Sequence, residues 1–102
     1  MSKKFSMIPV DVEPVETKYR RIQTQIPTPE AAKYFELAEK YEPVSMQGQP
    51  PILWDHAKGV NVYDREGNCW LDFSSGVVVA NSGHCNSKVQ EAIIETAENG
   101  LL

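Results

Sequence analysis

The chain has 102 residues, 41% of them hydrophobic, and a mean hydropathy of −0.40, which allows at most one domain with a modest core. A net charge of −4 and an isoelectric point near 5.1 speak against a nucleic-acid binder, which would carry a basic face. No apolar run reaches the length of a membrane span or a signal-peptide core, and Cys69 and Cys85 are too few for a disulfide framework. A cytoplasmic protein with free thiols and no membrane contact is expected.

Residues 1–27 read as an extended N-terminal arm. Pro9, Pro14 and Pro27 interrupt any helix, and the scattered apolar residues Phe5, Ile8, Val10, Val12, Val15 and Ile22 keep no helical period. Such an arm is expected to make few contacts within its own chain, or to lie across a neighbouring surface. Up to Pro27 the chain carries five Lys/Arg against three Asp/Glu, and from Thr28 onward five against eleven. The positive front and acidic body can attract each other.

The first helix is expected over about 29–41. Thr28 is a good N-cap, Pro29 suits the first helical position, and Glu30 sits near the positive end of the dipole. Ala31, Tyr34, Phe35, Ala38 and Tyr41 recur at helical spacing, and Pro43 stops the helix. Residues 47–51 then read as loop. Three strands are expected within 52–73: residues 52–56, then 60–63 after a turn at Lys58 and Gly59, then 69–73. The stretch Asp64-Arg-Glu-Gly-Asn68 between the last two reads as a tight hairpin turn, because Asp and Asn bond locally and Gly67 accepts positive φ. Residues 74–85 form a glycine-punctuated connection around Val77-Val-Val-Ala80. A second helix is expected over about 87–99, with Ser87 and Gln90 as a capping box and Gly100 at its end.

The stretch Gly59-Val-Asn-Val-Tyr-Asp-Arg-Glu-Gly-Asn68, followed by Trp70-Leu-Asp-Phe-Ser-Ser-Gly76 and Asn81-Ser-Gly-His84, resembles the opening of the class III, pyridoxal-phosphate-dependent aminotransferases. These are linked elements in the family's order and spacing, and they cover roughly residues 50–97. The approach segment Pro50-Pro-Ile-Leu-Trp-Asp55 is similar to members acting on 4-aminobutyrate or other ω-amino acids. One departure is that Cys85-Asn86-Ser87 follows His84 where the family has x-His-Pro. Polar capping residues there start a helix as well as proline does.

The resemblance implies an α+β fold: the N-terminal part of the small domain of a fold-type I enzyme, with arm, helix, three-stranded antiparallel sheet and helix. Residues 28–102 would be the small-domain portion, truncated before a large cofactor-binding domain. It implies a homodimer using pyridoxal 5'-phosphate to move an amino group from an ω-amino acid or amine to a 2-oxo acid. The Schiff-base lysine, the partner of the ring nitrogen and the phosphate cup all lie beyond Leu102 in family members. No catalytic or cofactor-binding residue is therefore assigned here, and the fragment alone is expected to be inactive. Val77 corresponds to an apolar residue facing the substrate, Val79 lies on the same side if the segment is extended, and Ser75 and Gly76 set the backbone's approach. The rival reading is a stand-alone, non-catalytic α+β interaction module. An aminomutase of the glutamate-semialdehyde type shares the scaffold.

Each site residue has a plainer reading. Val77 and Val79 can simply be core, and Gly83-His84 a turn with a helix-entry histidine. A zinc site from His56, His84, Cys69 and Cys85 lacks the spacing such sites use. Trp54 and Trp70 suit a sheet face. Lys58 and Lys88 fall at exposed positions and do not match the family's aldimine lysine.

Overall fold

The structure is a computed structural model that describes residues 5–46 and 48–101. Gln47, part of the expected loop, lies outside the described residues. The helix expected after Thr28 is α1 (Pro29–Tyr41). Thr28 Oγ1 accepts the Ala31 amide at 3.1 Å, and Pro29 opens the first turn without needing an acceptor. Glu42, extended at φ −82° and ψ 147°, ends the helix just ahead of Pro43. Ala31 and Ala32 are buried, whereas Tyr34 and Tyr41 of the anticipated apolar face are exposed. A 3-10 turn over Val44–Met46 follows.

Among the described residues the sheet has five antiparallel strands, not three. The expected three are β3 (Trp54–Lys58), β4 (Asn61–Asp64) and β5 (Cys69–Leu71). The first is displaced by two residues toward Gly59, whose φ of 60° makes the turn into β4. The third ends at Leu71; the Asp72 amide still donates to Val60 O at 2.9 Å, while its side chain organises the next loop. The added strands come from the arm: β1 (Val15–Glu16) and β2 (Arg21–Ile22), giving the order β1-β2-β5-β4-β3.

The expectation that the arm makes few contacts is thus corrected. Its prolines fall outside the two short strands and break no ladder bond. Between the strands Thr17 closes a turn: its amide donates to Arg20 O at 2.8 Å, and its hydroxyl accepts the Arg20 amide at 3.0 Å. Val15 then pairs with Ile22, and Arg21 with Cys69. Further back, Val10 and Ile26 exchange backbone bonds.

What fastens the arm is the β4–β5 turn. Asn68 is 0% exposed and saturated. Its amide and its Nδ2 donate to the two Asp64 carboxylate oxygens, each at 2.8 Å. Nδ2 also donates to Thr24 Oγ1 at 2.7 Å, and Oδ1 accepts the Gln23 amide at 2.8 Å. Arg21 Nε donates to Gly67 O, Gln23 Nε2 to Glu66 O, and the Thr28 hydroxyl to Glu66 Oε1. Trp70 Nε1 completes the Asp64 carboxylate at 3.0 Å. A turn chosen by local chemistry is also the socket for residues 21–28. The positive front meets the acidic body here through strand pairing and neutral bonds, with Arg21 on a carbonyl.

The last helix, α2 (Ser87–Glu98), is capped by Asn86, whose side chain accepts the Lys88 amide at 3.1 Å. Ser87, expected as the cap, is instead the first helical residue. Gly100, at φ 69°, closes the C-terminus with its amide on Ala97 O. No residue of α2 is buried, and Val89, Ile93 and Ile94 stand exposed. The radius of gyration, 16.2 Å, exceeds the ~13 Å of a compact domain of this length. Among the described residues no helix is long and apolar enough to cross a membrane.

Candidate functional site

Strand alternation puts Val62 and its partner Trp70 on one sheet face, and Tyr63 with its partners Cys69 and His56 on the other. His56 stacks on Tyr63 with ring centres 4.5 Å apart. Beside Val62 and Trp70 lies a cleft of about 560 Å³. Phe35 and Ala38 of α1 form one wall, Ile52 and Trp54 another, and the chain from Trp70 through Ser74, with Gly76 and Val77, forms the third.

That third wall is built in an unusual way. Ser75, Gly76, Val77 and Val78 have φ of 51°, 57°, 67° and 66°. With Val78 N on Ser74 O at 2.7 Å and Val79 N on Ser75 O at 2.9 Å, they form one turn of left-handed helix. Only Gly76 enters this region freely. At ~1–2 kcal/mol for each of the other three residues, the turn stores about 3–6 kcal/mol. Its surroundings must supply that.

Asp72 is bonded before, within and beyond the turn. Oδ1 accepts the Ser74 amide at 2.8 Å and the Ser74 hydroxyl at 2.6 Å; Oδ2 accepts the Gly76 amide at 3.0 Å and lies 2.6 Å from His84 Nε2. With Asp72 ionised, that imidazole nitrogen carries the proton and donates it. The Ser74 hydroxyl above all, then His84 and the two amides, hold the Asp72 carboxyl down to about 2, against the opposing pull of desolvation. The two side chains are 4% and 14% exposed, for Asp72 and His84 respectively. His84 is fixed in turn: its backbone exchanges two 2.8 Å bonds with Gly59, and Trp54 meets its ring edge-on at 5.5 Å. Gly83, at φ 84°, takes the left-handed backbone that favours glycine, and a Cβ there would only reach ordinary contact with Gly59.

The four residues singled out from the sequence separate here. Val77, 73% exposed, and Gly76 line the cleft. Ser75 and Val79 are not among its lining residues. The premise that put Val79 beside Val77, an extended segment, does not hold, since the backbone there is a left-handed turn. Lys58 and Lys88 are exposed and outside the cleft. Asp72 and His84 are the pair that sequence reasoning passed over as a unit. The spacing Asp72-x-Ser74-x-Gly76 was a readable signal for a carboxylate gathering nearby amides. Among the described residues no group of three His, Cys, Asp or Glu is arranged to hold a metal ion, and Cys69 and Cys85 are free thiols.

The residues that shape the cleft's third wall lie inside a family match. Residues 44–102 fit the family described as Aminotransferase class-III. The chain belongs to the class III aminotransferases. It is 42% identical over 65 residues to the acetylornithine aminotransferase of Methanocaldococcus jannaschii, covering 64% of this chain and 16% of that protein. It is 39% identical over 65 residues to an ornithine aminotransferase of Schizosaccharomyces pombe, covering 64% and 14%. Among solved structures, the ornithine aminotransferase of Plasmodium yoelii superposes with a TM-score of 0.60 at 32% identity, over 68% of this chain and 18% of that one. The chain thus spans about one sixth of the length of these relatives.

Proposed function

We propose that this chain forms part of the substrate-side wall of a pyridoxal-phosphate-dependent aminotransferase. The enzyme would move an amino group from an ω-amino acid or amine to a 2-oxo acid and work as a cytoplasmic homodimer. The observation that carries the reading is that the family-matching stretch from Trp70 to Ser74, with Gly76 and Val77, lines the cleft opposite α1. Trp54, Phe35, Trp70 and Val77 offer an apolar channel suited to the methylene chain of an ω-amino acid. The names of the relatives favour a donor of the ornithine or acetylornithine type over 4-aminobutyrate.

Bound pyridoxal phosphate supplies an electron sink for the substrate's carbon acid chemistry. The described residues do not by themselves fit that group. Lys18, Lys33, Lys40, Lys58 and Lys88 are all exposed, no lysine or arginine lines the cleft, and Glu39, Glu42 and Asp72 do. Holding a phosphate and presenting a neutral lysine amine therefore fall to other parts of the proposed enzyme, and the chain alone is inactive in this reading. The rival, a non-catalytic interaction module, draws on the exposed apolar side chains of α2.

The test is a chimaera in which residues 44–102 replace the matching stretch of the Methanocaldococcus jannaschii enzyme. Transamination of acetylornithine by the chimaera supports the reading, and a folded, cofactor-loaded but inactive chimaera refutes it. In parallel, the 102-residue chain is mixed with pyridoxal phosphate and reduced with borohydride. Scattered labelling of several lysines is expected. Stoichiometric labelling of one would show a complete cofactor site here and overturn the reading of an incomplete one.

A further inference from the structure

Val77 and Val78 are β-branched and prefer extended backbone, yet both sit at positive φ. Nothing in their own side chains explains this, since both are largely exposed. What surrounds them is a single carboxylate with donors on three sides of the turn. Ser74 precedes the turn, Gly76 lies within it, and His84 lies beyond its end, tied to Gly59 by paired backbone bonds. The carboxylate therefore fixes both ends of the segment 74–84 and Gly76 within its turn. Gly76 lies against this frame: a Cβ there would meet His84 Cε1 at 3.6 Å and Val79 Cγ2 at 3.7 Å. Were the hold released, the three successive valines would favour extended geometry. Alternation would then carry Val77 and Val78 to opposite sides of the chain.

We propose that Asp72 is a positioning residue for the cleft. Acting through Ser74, Gly76 and His84, it holds the left-handed turn and so sets how Val77 projects into the space facing Phe35 and Trp54. The role of the cleft rests on the function proposed above; the hold itself does not. Both Asp72 carboxylate oxygens are engaged by the Ser74, Gly76 and His84 donors. The influence of Asp72 is on the shape of the apolar channel, and hence on which chain lengths fit beside Val77. Ser74 is the second member of the device, because its hydroxyl and amide both seat on the same oxygen.

The test is nuclear magnetic resonance on the labelled 102-residue chain. Residues at positive φ give a strong intraresidue amide-to-Hα Overhauser effect, expected for Ser75, Val77 and Val78. Asp72→Asn should abolish it at Val77 and Val78, while the amide signals of Val62 and Asn68, in the sheet, stay in place. Persistence of the left-handed signature in Asp72→Asn overturns the proposal. If that variant does not fold, Ser74→Ala keeps the carboxylate and removes its 2.6 Å hydroxyl donor. The Asp72 carboxyl should then titrate closer to ordinary carboxylates, and the Val77 signature should weaken with it. Both staying unchanged in Ser74→Ala also overturns the proposal. An inactive chimaera with an intact hold would refute the functional reading alone, so the two fail on different signals.

Discussion

Replacing Asn68 by alanine should release the arm while leaving the hairpin standing. The side chain is fully buried, and its truncation deletes three bonds: the one accepted from the Gln23 amide and those donated to Thr24 Oγ1 and Asp64 Oδ2. Asp64 Oδ2 keeps Trp70 Nε1, and the Thr24 hydroxyl can rotate to another partner. The Gln23 amide has no such recourse. At ~1 kcal/mol net per lost bond, with the larger penalty of roughly 1–3 kcal/mol falling on the stranded amide, the loss comes to about 3 kcal/mol. That is a large share of the ~5–15 kcal/mol typical of a whole domain. For a chain of this size it corresponds to a fall in Tm on the order of 10–20 °C. Amide exchange locates the effect: protection at Gln23 and Ile22 should fall about 100-fold, that at Val62 much less. Asn68→Asp is the informative companion. It can still accept from Gln23, but it loses the donor and sets a second carboxylate against Asp64, so at neutral pH it should be no better than alanine. An Asn68→Ala protein melting within a few degrees of the parent, with Gln23 still protected, would refute this account of the socket.

Thr28→Ala removes both the cap on the Ala31 amide and the bond to Glu66, and should cost about 1–2 kcal/mol, read as a lower helical melting temperature by circular dichroism. The Asp72 carboxyl lies below its ordinary value of 3.8, at about 2. Its stabilising contribution is therefore complete above pH ~4 and lost as pH falls toward 2. The gap in Tm between the parent and Asp72→Asn should accordingly be widest near neutrality and close across that window; a gap independent of pH contradicts the assignment. In the chimaera, Val77→Trp should raise KM and lower kcat/KM for long ω-amino donors by roughly 10-fold or more while the cofactor's absorbance stays unchanged. Unchanged kinetics would place Val77 outside the pocket wall.

What the sequence disclosed and what it hid divide by the range of the determining contacts. The hairpin from Asp64 to Asn68, the cap at Thr28 and the stop at Gly100 rest on interactions within a few residues, and each is visible in the string of letters. The strands of the arm are two residues each; β1 pairs with β2 across the local turn at Thr17, but β2 is held in the sheet by partners some 45 positions away, which no local pattern announces. The turn at 75–78 misleads for a different reason. Three valines in a row argue for extended chain, and the carboxylate that overrules them is marked in the sequence only by the spacing Asp72-x-Ser74-x-Gly76. Of the residues that family likeness singles out, Val77 and Gly76 line the cleft and Ser75 and Val79 do not. The pairing of Asp72 with His84, twelve residues on, is what only the fold reveals.

The socket at Asn68 also sets an order of events during synthesis. Residues 21–28 leave the ribosome first, but their partners at 64–70 emerge only some forty residues later. At ~5–20 residues per second the arm waits on the order of seconds with its donors bonded to water. The β4–β5 hairpin, needing only its own neighbours, closes within microseconds of appearing. Residues 21–28 are thus made well before the partners that place them, and a chaperone or a second nascent chain that captures residues 10–27 in that interval competes directly with β5 for them.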